Sequence, residues 1–183
     1  VMPAVHLSRY ENMVHGPNYY DYITKELPQV MQSFFPISDK PEDQFIAGLS
    51  MGGFGAIRNG LVYGETFGYI AALSSAMHVF EMPFDAPDRC LMDEDRVFGD
   101  LPTASKTNKN PRVALNELKQ RRIPLPKIYM ACGLQDRLLE ASRIWQGLFV
   151  ENGFDVTYEE APGDHNWDFW DEYIQYVLKW MLA

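Results

Sequence analysis

The feature that most constrains this chain is a set of short apolar runs that do not alternate with polar residues. Tyr69-Ile70-Ala71-Ala72-Leu73 and Lys127-Ile128-Tyr129-Met130-Ala131 carry side chains suited to burial on both faces, as the strands of a covered parallel sheet require. Phe45-Ile46-Ala47 and Val156-Thr157-Tyr158 are shorter runs of the same kind, and Val1 to Val5 reads as the end of a buried strand that Pro3 confines to an edge. Between the runs the periodicity becomes helical. Ile23, Leu27, Val30, Met31 and Phe34 form a stripe in which Pro28 should kink or restart the helix, because it removes a backbone bond at about 3 kcal/mol. Met51 to Tyr63 with Gly64 as its cap, Leu138 to Asn152 closed by Gly153, and Trp167 to Met181 are the other helices. Strand and helix alternating through short links predict an α/β domain with a mainly parallel sheet.

A length of 183 residues suits one domain over the whole chain. The alternation lapses over about 75–112, where Pro83, Pro87, Pro102 and Pro111 lie among polar and acidic residues. An irregular stretch of this length above a sheet predicts a lid-like insertion, with Met77, His78, Met82 and Phe84 at a pocket edge. Sixteen Lys+Arg against 25 Asp+Glu give a net charge of −9, and no basic face is available to neutralise phosphates, which argues against a nucleic-acid partner. No apolar run has the length of a membrane span, and the N-terminus lacks a signal-peptide profile. Cys90 and Cys132 are too few and too far apart for a disulfide framework or a zinc site; free thiols and a cytoplasmic setting are expected.

Gly48-Leu49-Ser50-Met51-Gly52 is a G-x-S-x-G that follows a predicted strand and opens a predicted helix. A tight strand-to-helix turn strains the serine backbone and lifts the hydroxyl out of the sheet, and small residues two positions either side relieve the crowding. The N–H of Met51, at the positive end of the helix, can then steady an oxyanion. As a bare pattern the motif is also satisfied by an ordinary glycine-rich turn, so its context carries the weight.

A serine hydroxyl needs a base, normally a histidine oriented by a carboxylate. Of His6, His15, His78 and His165, only His165 follows the last predicted strand and precedes the last helix, at the edge of the sheet where the elbow also lies. Asp136 follows the strand ending near Ala131 and satisfies the chain order serine, acid, histidine. Asp164, beside His165, is its rival and Glu140 a weaker one, and Asp136 also suits the N-cap of the helix near Leu138. Tyr10 and Trp167 are the aromatic candidates for substrate contact; the helical spacing of Trp167, Trp170 and Tyr173 fits core packing equally well.

With these residues placed, the chain resembles the esterase branch of the α/β-hydrolase superfamily. It is most similar to the tributyrin esterase group, with S-formylglutathione hydrolases and feruloyl or acetyl-xylan esterases as relatives. The stretches that carry the likeness are VMPAVHLSRYENM, YYDYITKELPQVMQSFFP, FIAGLSMGGFGA, FGDL, KIYMACGLQDRLLEAS and GFDVTYEEAPGDHNWDFWDEYI. The resemblance implies a three-layer sandwich, no cofactor and no metal, and hydrolysis of short-chain acyl, acetyl or hydroxycinnamoyl esters. It makes Ser50 the nucleophile, His165 the base, Asp136 the orienting acid and Met51 N–H an oxyanion donor. A thioesterase acting on S-formylglutathione is the alternative. The superfamily also has earlier strands and a His-Gly loop that supplies a second oxyanion donor, and neither has a counterpart in the 183 residues. The sequence is therefore expected to be the C-terminal part of a longer protein, with the N-terminal segment of its own chain as a partner, a small-molecule ester as substrate, and room for a homo-oligomer. Without that loop, a catalytically silent binding module is the reading from a different class.

Overall fold

A computed structural model describes residues 1–83 and 94–182. Four parallel strands, β1 (Phe45–Leu49), β2 (Tyr69–Leu73), β3 (Lys127–Gly133) and β4 (Val156–Ala161), lie in the order β1-β2-β3-β4. The register pairs Gly48 with Ala72 and Leu73 with Ala131, so the C-terminal ends of β1, β2 and β3 stand side by side. Each strand feeds a loop at that end, and the loops carry the site.

The side chains of β2 and β3 divide between two cores, as a period of two requires. Ile70, Ala72, Ile128 and Met130 face the larger one. There they meet Phe54, Ile57 and Leu61 of α3 (Met51–Val62), Leu115 and Leu118 of α6 (Pro111–Gln120), and Trp145 and Phe149 of α7 (Leu139–Glu151). Ala71, Leu73, Tyr129 and Ala131 face the other, against Phe169, Trp170, Tyr173 and Val177 of α8 (Trp167–Met181). Helices cover both faces of the sheet, as the apolar runs predict.

The structure departs from the sequence reading in several places. Val1 to Val5 forms no strand, and among the described residues the sheet has four strands where five were expected. Pro3 has no N–H to give, and none of the described strands pairs with this segment, so an apolar sequence alone does not make it a strand. Pro28 stands where the helix restarts, in the first turn of α2 (Leu27–Phe34). Between α1 (Tyr19–Asp21) and α2 runs a π-helical turn, Tyr22–Glu26, in which Leu27 N–H reaches back to Tyr22 O. The widened turn admits a proline at the start of α2. Gly64 is not a left-handed cap: it lies against α6, where a Cβ would meet Leu118 Cδ1 at 2.6 Å.

The described residues of the stretch read as irregular include a 3-10 turn, Met77–Phe80, and the helices α4 (Glu94–Phe98), α5 (Leu101–Ala104) and α6. Asn110 caps α6 by accepting from Arg112 N–H at 3.0 Å. Phe84, Pro87 and Cys90 lie outside the described residues.

Candidate active site

The turn between β1 and α3 places Ser50 at φ 53° and ψ −117°, a conformation that residues with a side chain rarely adopt. What holds it is backbone. Ser50 N–H donates to Leu73 O at 2.8 Å, and Ser50 O accepts from Ala76 N–H at 2.9 Å and from Phe54 N–H at 3.2 Å. The turn also brings the two motif glycines together, since a Cβ on Gly48 would lie 2.2 Å from Gly52 O. Behind the turn, a Cβ on Gly53 would lie 2.3 Å from Ser75 Oγ. Met51 is the first residue of α3, so its N–H has no carbonyl in its own helix to bond.

Loops from two further strands converge on the Ser50 hydroxyl. The His165 ring, on the link from β4 to α8, brings Nε2 to 2.9 Å from Ser50 Oγ. Its Nδ1 stands 2.9 Å from Asp136 Oδ2, on the link from β3 to α7. The Asp136 side chain is fully buried and the His165 side chain is 18% exposed, so the ring is open to solvent only at its rim. Burial pushes the Asp136 carboxyl up, but the Leu138 N–H, the nearby Ser74 hydroxyl and the His165 ring together outweigh burial and hold it below the usual carboxylate range.

The two Asp136 oxygens face different partners. Oδ1 accepts from Leu138 N–H at 2.8 Å, at the start of α7, while Oδ2 faces the histidine. Asp164 does not reach the ring: its Oδ1 accepts the backbone N–H of His165 at 2.7 Å and so shapes the loop. Glu140 is exposed on the first turn of α7. Asn166 caps α8 by accepting from Phe169 N–H at 3.2 Å, which fixes the helix that begins directly after His165.

The two aromatic candidates are placed differently from one another. Trp167 is 71% exposed, with its ring edge-to-face on Trp170, which in turn stands against His165. Tyr10 packs on the flank of α3, its hydroxyl 3.1 Å from where a Gly52 Cβ would be and its ring carbon Cγ 2.5 Å from where a Gly55 Cβ would be. It also lines an open pocket of about 260 Å³ along the outer edge of β1, among Ile23, Leu27, Phe45, Ile46 and Ala47. Neither Ser50 nor His165 borders that pocket.

Several features near the site carried no signal in the sequence. Ser74, at φ 46°, and Ser75 follow β2 and are completely buried beside the elbow. Arg9 and Tyr10 are consecutive left-handed residues, and the Arg9 guanidinium reaches Met51 Sδ at 3.8 Å and Glu94 at 3.7 Å. The Cys132 thiol is buried near Asp136 and Ser142, and burial pushes it up to about 11, so it stays protonated and inert. Among the described residues no group of three or more His, Cys, Asp or Glu could hold a metal ion, and no helix is long and apolar enough to cross a membrane.

A covered parallel sheet with helices on both sides, bearing a serine at a strained strand-to-helix turn, is the architecture of the α/β-hydrolase class. The comparisons with known proteins narrow it. Residues 7–181 match the model of the family described as "Putative esterase", and the chain belongs to that family. It is 41% identical over 166 residues to the acetyl esterase of Caldicellulosiruptor saccharolyticus, a match covering 88% of this chain and 62% of that protein. Among solved structures it is similar to the substrate-bound fluorophosphonate-binding serine hydrolase F of Staphylococcus aureus, with a TM-score of 0.88, 31% identity, and coverage of 100% of this chain and 70% of that one. The S-formylglutathione hydrolase FrmB of the same organism is similar at a TM-score of 0.82 and 31% identity, with the same coverage.

Proposed function

We propose that the protein is a carboxylic ester hydrolase that works through an acyl-enzyme on Ser50. The observation that carries the reading is the unbroken row from Ser50 Oγ through His165 to Asp136, with both links at 2.9 Å. In the proposed reaction His165 Nε2 accepts the Ser50 proton as Oγ attacks the ester carbonyl, forming the C–O bond of a tetrahedral intermediate. The Met51 N–H steadies the oxyanion; one such donor is worth about 3 kcal/mol. Asp136, held ionised, faces the imidazolium, and His165 returns the proton to the departing alcohol. Water then repeats the sequence against the acyl-enzyme and releases the acid. Trp167 and Tyr10 are the proposed substrate contacts.

Kinship with an acetyl esterase at 41% identity supports short acyl groups as substrates. A second reading, hydrolysis of the thioester S-formylglutathione, is favoured by the likeness to FrmB over the full length of this chain. Wild type and Ser50→Ala assayed with p-nitrophenyl acetate, butyrate and octanoate, methyl ferulate and S-formylglutathione test both. Activity on the acetate or butyrate that disappears in Ser50→Ala is the expected result. A preference for the thioester moves the substrate, and equal activity in the two proteins refutes the serine mechanism.

A further inference from the structure

Both nitrogens of the His165 ring are engaged, Nδ1 with Asp136 and Nε2 with Ser50. The two hydrogen bonds lie in the ring plane, so they restrain rotation about the line joining their partners only through their own directionality. The indole of Trp170 supplies the missing restraint. Its ring stands at 89° to the imidazole with centroids 4.8 Å apart, the edge-to-face arrangement that aromatic pairs prefer.

Trp170 is itself held firmly. It is 8% exposed, belongs to the core that α8 forms with β2 and β3, and carries the perpendicular Trp167 ring at 5.4 Å and 84°. Its backbone N–H reaches Asn166 O at 3.3 Å, in the first turn of a helix that Asn166 caps. Its Nε1 makes no hydrogen bond among the described residues, so packing fixes the indole.

We infer that Trp170 is a positioning residue for His165, holding the imidazole plane while Nε2 changes partners. The inference rests on the acyl-enzyme reading above. In that reaction Nε2 gives up Ser50 Oγ and turns to the leaving oxygen, and later to water. During each exchange the Asp136 hydrogen bond and the Trp170 ring contact remain. A positioning loss of this kind falls on kcat, whereas a disturbance of Trp167, which rests on Trp170 and is a proposed substrate contact, falls on KM.

The test compares Trp170→Phe, which keeps an aromatic ring, with Trp170→Leu, which keeps apolar bulk, on p-nitrophenyl acetate. The leucine variant is expected to lose on the order of ten- to a hundredfold in kcat with KM within about twofold. The phenylalanine variant is expected to recover most of that loss. The low-field proton resonance of the His165–Asp136 hydrogen bond should persist in Trp170→Phe and broaden away in Trp170→Leu. Equal kcat in the two variants, or a loss that falls on KM, overturns the inference. If the leucine variant does not fold, as judged by thermal unfolding, Trp170→Met takes its place in the same comparison with the same outcomes. Failure of the underlying esterase reading shows separately, as Ser50→Ala retaining the activity of wild type.

Discussion

At the scale of single residues the site depends on backbone that has no room to move. Ser50 sits in a left-handed conformation because three backbone hydrogen bonds, to Leu73, Ala76 and Phe54, fix both sides of its peptide units. Gly48 makes the turn sterically possible: a methyl group there would lie 2.2 Å from Gly52 O, a backbone atom that cannot rotate away. Gly48→Ala is therefore expected to lower kcat/KM by two orders of magnitude or more if it folds, and to lower the thermal midpoint as well; steady-state kinetics and calorimetry check both. The acid is tested by two asparagine variants. Asp136→Asn removes the charge facing His165 Nδ1 and should cost on the order of 10³- to 10⁴-fold in kcat. Asp164→Asn, which disturbs only a backbone contact, should stay within about tenfold. Ser50, His165 and Asp136 were legible in the sequence because each lies on the loop that leaves a strand end, and strand ends of a parallel sheet meet on one edge. Ser74 and Ser75 follow a strand end too, but their part becomes visible only when β2 is known to lie beside β1, a pairing that local patterns do not encode.

At the scale of elements, α3 does more than present the serine. Arg58, two turns along it and 4% exposed, pairs with the buried Glu11 at 2.9 Å. The same guanidinium donates to Asn108 O at 3.0 Å and to Asn59 Oδ1 at 2.9 Å, and it covers the Tyr20 ring at 4.3 Å. It thus ties the N-terminal segment, the π-helical turn's neighbour Tyr20 and the loop before α6 to the helix that carries Ser50. Burial pushes Glu11 up to about 7, against the pull of Arg58 and Lys109. A carboxyl whose folded value is raised binds more protons folded than unfolded, so its contribution to stability falls as pH rises from about 4.5 to about 7 and is level above that. The thermal midpoint of wild type relative to Glu11→Gln should therefore decline across that window; a difference independent of pH would contradict the account. Arg58→Ala leaves a buried carboxyl without its partner and should destabilise by about 3–5 kcal/mol, measured by chemical denaturation. The long helices were legible from periodicity to within a residue or two. Helix α6 was not, although Asn110-Pro111 is a helix start, because the surrounding prolines masked it. Val1 to Val5 failed for the opposite reason, since an apolar run is a strand only where another strand pairs with it, and none of the described strands does.

At the scale of the whole molecule, β2 and β3 are paired on both sides and buried on both faces, whereas β1 is paired only with β2 among the described residues. Half of the N–H groups of a strand point to each side, so the outward amides of β1 have no ladder partner here. In the 183-residue chain hydrogen exchange should be slowest in Tyr69–Leu73 and Lys127–Gly133, which are paired on both sides, and faster along Phe45–Leu49; equal protection in all three would contradict this. The elbow hangs from that same edge strand, yet its clamp reaches inward to Leu73 and Ala76, which is why an incomplete-looking edge coexists with an ordered row of Ser50, His165 and Asp136. The central claim, that this row transfers acyl groups through Ser50, is tested most directly by quenching a reaction with p-nitrophenyl acetate in acid within its first turnover and mapping the peptides by mass spectrometry. An acetyl group on Ser50, absent in Ser50→Ala and depleted once substrate is exhausted, is the predicted result. Turnover of the ester with no acetyl on Ser50, or with acetyl carried by another residue, would contradict it.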